Sequence, residues 1–564
     1  MFRVVIFADR KPQWVWRLAQ RIEQDVPEAR VCGILHQLPP RHTLRQKLGR
    51  FLSHARDPHF VLHLLLGMGK LLRGCGQRLD DVLLRLTHAS QANPNGPVEF
   101  TIRDLVSRSR LAGWPTFVSD NLDSAAALDF ARCQAPELGV VVGSPLLKPE
   151  LSTLPRCGSI RMHKSISLPD EGGAGTEHAK LRQGPREVRI SINRMSRDQD
   201  GGSVLCAVNL PREPYDTLLS LDLKSELIGS DLLVQVISSL AKGGVTTVSA
   251  QVTGWVQTML PYHLLNPSET QNVQLHVERP RGRIRPLWKI CLYTLLLFSP
   301  YVIIRNWYRR RRGGFPVIVL FHHLVSDRPH RLGISTEAFL REVRFLQRHY
   351  RVLRLPEAVS VLESNSVKVP TVVLTFDDGY QDNFVTLRAV MEETGVPVSL
   401  FVSTQLVQEQ REFQHDQAKG EKNFRPLNWD QIVYFSDHGA EIGSHTRTHF
   451  DCGSTDLSAL EEEIVGSKKD LEGRLGRPVD FFAFPWGKAN NMSGAAIGLA
   501  RSTYRYFFST IDGENFPERV AAHRHLLRKG LAADLWELEL SLQSVFDIAK
   551  VLKRMILSPA KRLP

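Results

Sequence analysis

The chain has 564 residues, 42% of them hydrophobic and 23% charged, with a formal net charge of +13. Its ordinary apolar content excludes a mainly disordered chain, and its length suits about two to four domains. The seven cysteines (Cys32, Cys75, Cys133, Cys157, Cys206, Cys291, Cys452) are odd in number and show no CxxC or zinc-finger spacing, which excludes a disulfide scaffold and agrees with a reducing compartment.

The first segment, Val4–Ala8, reads as a buried strand. It is shorter than the apolar region of a signal peptide, about 7–15 residues, and no small-residue cleavage site follows it. The expected location is cytoplasmic, extended by peripheral attachment to the inner face of a membrane. Residues 38–95 are basic and leucine-rich and are expected as helical insertions, with a loop at 91–97. Residues 138–143 (LGVVVG) form a second buried strand, and 216–244 become helical toward their end. This alternation predicts an α/β domain with a mostly parallel sheet. No GxGxxG follows the first strand, so a dinucleotide fingerprint is not supported.

The uncharged run Ile290–Ile304 is broken by Pro300 and flanked by Arg281, Arg283 and Arg285 on one side and Arg309–Arg312 on the other. A helical span needs about 20 residues, and positive charge on both sides does not suit a simple crossing. An in-plane or re-entrant segment on an anionic leaflet fits better, with a buried inter-domain helix as the other reading. The arginines stand beside an apolar run and do not interleave with aromatics on a sheet face, which disfavours nucleic acid as a partner.

From Phe315 to about Gly530 strands and helices alternate repeatedly, which predicts a barrel-like sheet with helices outside. The last stretch, 536–564, reads as an amphipathic helix with a basic end. Three segments carry chemistry: TFDDGY (375–380), SHTRTH (444–449) and FAFPWG (482–487). The apolar strand before Asp377 and Asp378 ends on two carboxylates, where parallel α/β proteins place their sites. Neighbouring strand residues point to opposite faces, so two roles are expected, one metal ligand and one proton acceptor. A solvated Asp-Asp-Gly turn is the alternative. His445 and His449 are four apart, a spacing that puts both imidazoles on one face of a helical turn. Two histidines plus a carboxylate are a common ligand set for zinc or another divalent cation.

With these motifs, residues 315–530 resemble the polysaccharide deacetylases with a NodB-homology domain. VLFHHLV (319–325), HGAEIGSHTRTHFD (438–451) and LEGRLGRPVDFFAFPWGK (471–488) extend the likeness. The resemblance implies that Asp378, His445 and His449 hold one divalent metal and that Asp377 is the catalytic base. It further implies that Phe484, Pro485, Trp486 and Gly487 wall the groove and that Tyr380 lies beside the site with its backbone N–H toward the oxyanion. His323 matches a position that is often histidine in the family, either contacting substrate or closing a strand-end hydrogen bond. The acid for the leaving amine comes from a late motif, where His523 and His525 are both candidates. Arg524 is a third candidate, for orienting the base.

Residues 1–210 resemble formyltransferases that use 10-formyltetrahydrofolate, through 138–175 and DQDGGSVL (198–205). The resemblance places His163 and Asp200 at two of that family's three catalytic positions. Arg161 stands at the third, where the family has asparagine. Arginine only donates hydrogen bonds and is always charged, so altered transfer and an inactive binding module are both open.

The fold class expected is α/β: a formyltransferase-like open parallel sheet (1–210) with a helical extension (211–280), a basic hydrophobic segment (281–314), and a NodB-type deformed (β/α) barrel (315–535) before the last helix. The expected function is metal-dependent removal of acetyl or formyl groups from a carbohydrate or lipid-linked amino sugar, with zinc as the first choice of metal. The alternatives are a formyltransferase acting on a sugar amine with 10-formyltetrahydrofolate, and a non-catalytic membrane-associated scaffold.

Overall fold

The structure is a computed structural model that describes residues 1–9, 11–38, 100–143, 147–165, 187–195, 203–243, 248–265, 287–365, 367–530, 532 and 534–549. The expected helical insertions before residue 95, Asp200, the arginines at 281, 283 and 285, and the end of the basic helix lie outside the described residues. The described residues form two units, one running to Thr258 and one from Met259 onward together with Glu213–Tyr215. The helical extension expected over 211–280 therefore divides near residue 258, and the segment from 287 to 312 belongs to the second unit.

The first unit is built on one sheet of seven strands: β1 (Phe2–Ala8), β2 (Ala29–Gln37), β3 (Thr116–Ser119), β4 (Leu138–Val142), β5 (Ser159–Ser165), β6 (Glu187–Arg194) and β7 (Val204–Pro211). Their order is β3-β2-β1-β4-β5-β6-β7, parallel from β3 through β5. The last two strands run antiparallel. The central strands β1 and β4 are continuous apolar runs because both of their faces are covered. The helix Leu218–Ala241 begins at a capping box on Thr217 and is buried along nearly its whole length. It lies so close to β5 that a Cβ on Gly229 would come within 1.9 Å of the Met162 sulfur. Lys164, two residues along β5, reaches Asp222 (3.1 Å) and Glu226 on the same helix.

The second unit is a nearly closed parallel sheet. Its strands are β8 (Val317–His322), β9 (Leu324–Val325), β10 (Gly333–Ile334), β11 (Arg351–Val352), β12 (Thr371–Phe376), β13 (Ser399–Val402), β14 (Glu441–Ser444), β15 (Phe481–Ala483), β16 (Tyr506–Phe508), β17 (His525–Leu526) and β18 (Arg528–Lys529). The path runs β17-β16-β15-β14-β13-β12-β8-β18, with β11 beside β12 and β9 paired only with β10. Only Leu527 separates β17 from β18, so the two ends of the path meet and the sheet curls into a barrel. Inward residues such as Val319, Val373, Phe401, Phe481 and Phe508 fill its core. The long charged helix expected near 457–475 spans Leu457–Leu475 and packs outside.

Pro300 breaks the hydrophobic segment into two helices, Leu287–Leu297 and Pro300–Arg312, and the Ser299 hydroxyl caps the second. Among the described residues no helix is long and apolar enough to cross a membrane. The second helix leads into β8 and shares a crevice with Phe315, Pro370, Thr371 and Gln543. It therefore sits at the N-terminal rim of the barrel strands, at the end opposite the Asp377–Asp378 turn.

Candidate active site

Strand β12 delivers Phe376 into the core and then turns sharply. Asp378 has φ +68° and Gly379 has φ +77°. A side chain at Gly379 would meet Val402 at 2.7 Å, so the second of these left-handed residues has to be glycine. The turn sends the two carboxylates to different partners. Both are buried, at 2% and 1% exposure.

Asp377 is gripped by Arg528 from β18. Nη1 donates to Oδ1 at 2.6 Å and Nη2 to Oδ2 at 2.7 Å, a two-pronged charge-assisted pair. Burial pushes the Asp377 carboxyl upward, and the Arg528 charge outweighs it, leaving the group below the ordinary carboxylate range. Arg528 is itself wholly buried; it also donates through Nε to the Ser509 carbonyl at 3.1 Å.

Asp378 faces the histidines. Its Oδ1 lies 3.5 Å from His445 Nε2 and 3.2 Å from His449 Nε2. Burial raises this carboxyl, and the His449 charge more than offsets it, so Asp378 is held well below the usual range. The three groups fit a cation. Both Asp378 oxygens are buried with no hydrogen-bond donor, and the three ligand atoms lie within 4.8 Å of one another. His445 donates its Nδ1 proton to the Ala483 carbonyl at 2.7 Å, which leaves Nε2 with a bare lone pair aimed at Asp378.

The histidine pair does not sit on a helical turn, contrary to the expectation from its spacing. Residues 445–450 form a loop in which Thr446 (φ +64°) and His449 (φ +59°) are left-handed. Glu463 from the neighbouring helix accepts the backbone N–H groups of Arg447 (2.8 Å) and Thr448 (2.9 Å), and the Thr446 hydroxyl accepts that of Phe450. These bonds replace a helical ladder, and the two rings still meet at 5.1 Å between centroids.

A second cluster, His330, Asp416 and Glu421, is fully buried nearby. It does not offer a cation the same lone pair. The Leu332 N–H donates to His330 Nδ1 at 3.1 Å, so the ring proton sits on Nε2, 3.3 Å from each carboxylate. Asp416 in turn accepts the Tyr380 hydroxyl at 2.6 Å.

Several expected site residues are placed differently. Tyr380 is completely buried and turned toward Asp416 and His415, so its side chain lines no open surface and only its backbone could face a substrate. Of Phe484, Pro485, Trp486 and Gly487 only Trp486 is exposed, with its ring 4.4 Å from that of His449. His323 is half-buried near both aspartates, with burial holding it below the usual imidazole value. His322 is buried and bonded to Glu342 at 2.9 Å.

The late candidates correct most clearly. His523 and Arg524 are exposed, and His525 binds the Ser509 hydroxyl at 2.8 Å while stacking on Phe507. Burial pushes His525 down to about 4, so it carries no proton to give at neutral pH. The arginine that grips Asp377 is Arg528, four residues beyond Arg524. Replacing His525 by alanine should therefore keep kcat/KM within about tenfold of wild type, whereas loss of a general acid costs roughly 10²–10⁴-fold. Steady-state kinetics of the purified variant distinguish the two.

Two groups had not been singled out. Arg528 sits in an apolar context, LLRKG, where a buried cation needs a buried anion, and that was the available signal. His415, with Nε2 3.6 Å from Asp378 Oδ2, lies in a single helical turn, Gln414–Gln417, too short to leave a periodic cue in the sequence. In the first unit, Arg161 and His163 share one face of β5, half-buried and exposed respectively.

Residues 364–502 match the family model described as polysaccharide deacetylase. The second unit carries a polysaccharide deacetylase domain. A Bacillus subtilis protein named as a polysaccharide deacetylase, YxkH, is 23% identical over 188 residues, covering 33% of this chain and 61% of that protein. The solved Streptococcus pyogenes deacetylase PplD, in complex with acetate, is 18% identical with a TM-score of 0.35, covering 41% of this chain and 98% of that one. N-terminal to the deacetylase domain, the chain is homologous to methionyl-tRNA formyltransferases. The Nitrosomonas europaea enzyme is 37% identical over 109 residues, 19% of this chain and 33% of its own length. The chain thus spans about a third of one curated relative and under two thirds of the other.

Proposed function

We propose that the deacetylase domain is a metal-dependent hydrolase that removes an N-acyl group, acetyl or formyl, from an amino sugar. Asp378, His445 and His449 would hold the cation, with zinc the first choice for a set of two imidazoles and a carboxylate. Bound there, a divalent cation acidifies water and polarises the amide carbonyl. Asp377, fixed by both nitrogens of Arg528, accepts the proton from the attacking water. With His523, Arg524 and His525 turned elsewhere, the same carboxyl returns that proton to the leaving amine. Trp486 offers an open aromatic surface beside His449, suited to the apolar face of a sugar ring.

One observation carries this reading: a carboxylate with no donor on either oxygen faces two imidazole nitrogens, one of them left bare by a carbonyl behind it.

The formyltransferase-like domain would add an acyl group or bind the substrate, with Arg161 altering the usual transfer and 10-formyltetrahydrofolate as its candidate cofactor. A formyl-adding and a deformylating domain on one chain point to an N-formylated intermediate, carried on a lipid at the inner face of a membrane. Purified chain loaded with zinc is expected to release formate from N-formyl amino sugars. Release of acetate alone from matched substrates would overturn the formyl part, and release of neither acid would overturn the hydrolase.

A further inference from the structure

We infer that the helix pair Leu287–Leu297 and Pro300–Arg312 is a docking surface for an anionic phospholipid bilayer, lying in its plane. One side of the second helix is fastened to its own unit. Val302 and Asn306 are buried, the Asn306 amide donates to Gln543 Oε1 at 2.9 Å, and Arg309 pairs with Glu514 at 3.2 Å. At 100° per residue, positions 302, 306 and 309 fall within one narrow arc. The opposite half is open and, before its final turn, apolar: Tyr301, Ile303, Ile304, Trp307 and Tyr308 are all exposed, Ile304 at 61%. Leu295 on the first helix is exposed at 71%. Large apolar side chains gathered on one face of a soluble surface mark a contact site.

The charges select the contact. No acidic residue occurs between 287 and 312. Arg311 and Arg312 are exposed at the C-terminal end of the helix, lying over the rings of Trp307 (4.8 Å) and Tyr308 (5.7 Å); Arg311 continues the middle of the open arc and Arg312 borders it beside Tyr301 and Tyr308. Aromatic rings at headgroup depth, aliphatic side chains below them and guanidinium groups among phosphates form the pattern of an in-plane interfacial helix. A second copy of the chain would bring two arginine clusters together across a symmetric contact, which like charges oppose. Nucleic acid would match the arginines but leave the isoleucines against phosphate. This names the partner surface within the proposed function and rests on that reading only for its membrane setting.

The test is co-sedimentation of the full chain with phosphatidylcholine vesicles, with and without phosphatidylglycerol. Pelleting is expected with the anionic vesicles and should weaken as salt rises. The double variant Ile304→Asp with Trp307→Asp, and separately Arg311→Glu with Arg312→Glu, should each reduce partitioning roughly tenfold or more. All four positions are exposed, so folding is preserved and can be checked by circular dichroism. Failure to pellet with anionic vesicles overturns the inference. So does wild-type pelleting by both variants, or a dimer in light scattering that the Ile304/Trp307 variant dissociates. Hydrolysis of a soluble N-acyl amino sugar in the same preparations should be equal for all variants. Its absence throughout strikes the hydrolase reading and leaves the vesicle result standing.

Discussion

His445→Ala should lose its metal and its hydrolytic activity together. The wild-type chain is expected to bind one divalent ion at this site, and the variant to retain little after dialysis against a weak chelator. Activity should fall about 10³-fold or more, equivalent to ~4 kcal/mol of transition-state stabilisation. The reason lies in the pair of contacts His445 makes. Its Nδ1 is fixed by the Ala483 carbonyl and its Nε2 points at Asp378, so alanine removes a ligand and the device that aims it. It also leaves Asp378 buried with one imidazole fewer. Thermal unfolding of the metal-free proteins should accompany the assay, and Asp378→Asn should give the same joint loss with the side-chain volume preserved. A variant that retains full metal content and full activity would refute the ligand assignment.

Arg528→Met should be the most destabilising single change near the site. Asp377 keeps its charge in a dry environment chiefly because Arg528, with smaller help from His445 and His323, offsets burial. Removing one partner of such a pair costs about 3–5 kcal/mol. The pH dependence follows from the sign. A carboxyl with a depressed folded pKa adds stability above its unfolded value, and that stability is lost as pH falls through the folded value. Without Arg528 burial loses its main opponent and only the His445 and His323 contributions remain, so the Asp377 carboxyl shifts upward and protonates at higher pH. The acid limb of kcat/KM should therefore move upward in the variant, while metal content stays near wild type. Arg528→Lys should restore part of the stability but not the geometry, because an ammonium cannot bond both oxygens at once. A pH–rate profile for the three proteins reads this directly, and an unmoved acid limb in Arg528→Met would rule out Asp377 as the titrating base.

Much of the barrel was legible because its strands are buried on both sides. Runs such as TVVLTF and VIVLF admit few other readings when they recur between helical stretches. The DDG and HxxxH segments were visible for the same reason: each follows directly on such a strand. The local shape of the HxxxH segment was not legible. Spacing of four suggests a helix, but Glu463, fourteen residues beyond His449, holds the backbone in a loop, and no periodicity registers a bond of that kind. Arg528 was missed because its meaning depends on Asp377, 151 residues earlier in the chain, and the two meet only when β18 closes the sheet beside β8. The antiparallel edge β6–β7 escaped prediction because its strands flank residues where polar and apolar positions mix.

The placement of Pro300–Arg312 at the rim where the barrel strands begin limits what can be processed there. The Asp378–His445–His449 cluster lies at the far end of those strands. Six residues of β12 at about 3.3 Å each put the two ends roughly 20 Å apart. With the helix lying flat among phosphates, a sugar joined to its lipid by a short linkage stays below the height of the metal ligands. On that proposal a lipid-linked amide would have to arrive on a long tether, as the distal unit of an extended glycan. Varying tether length at constant headgroup should reveal a threshold, with turnover rising sharply once the spacer exceeds the height of the barrel.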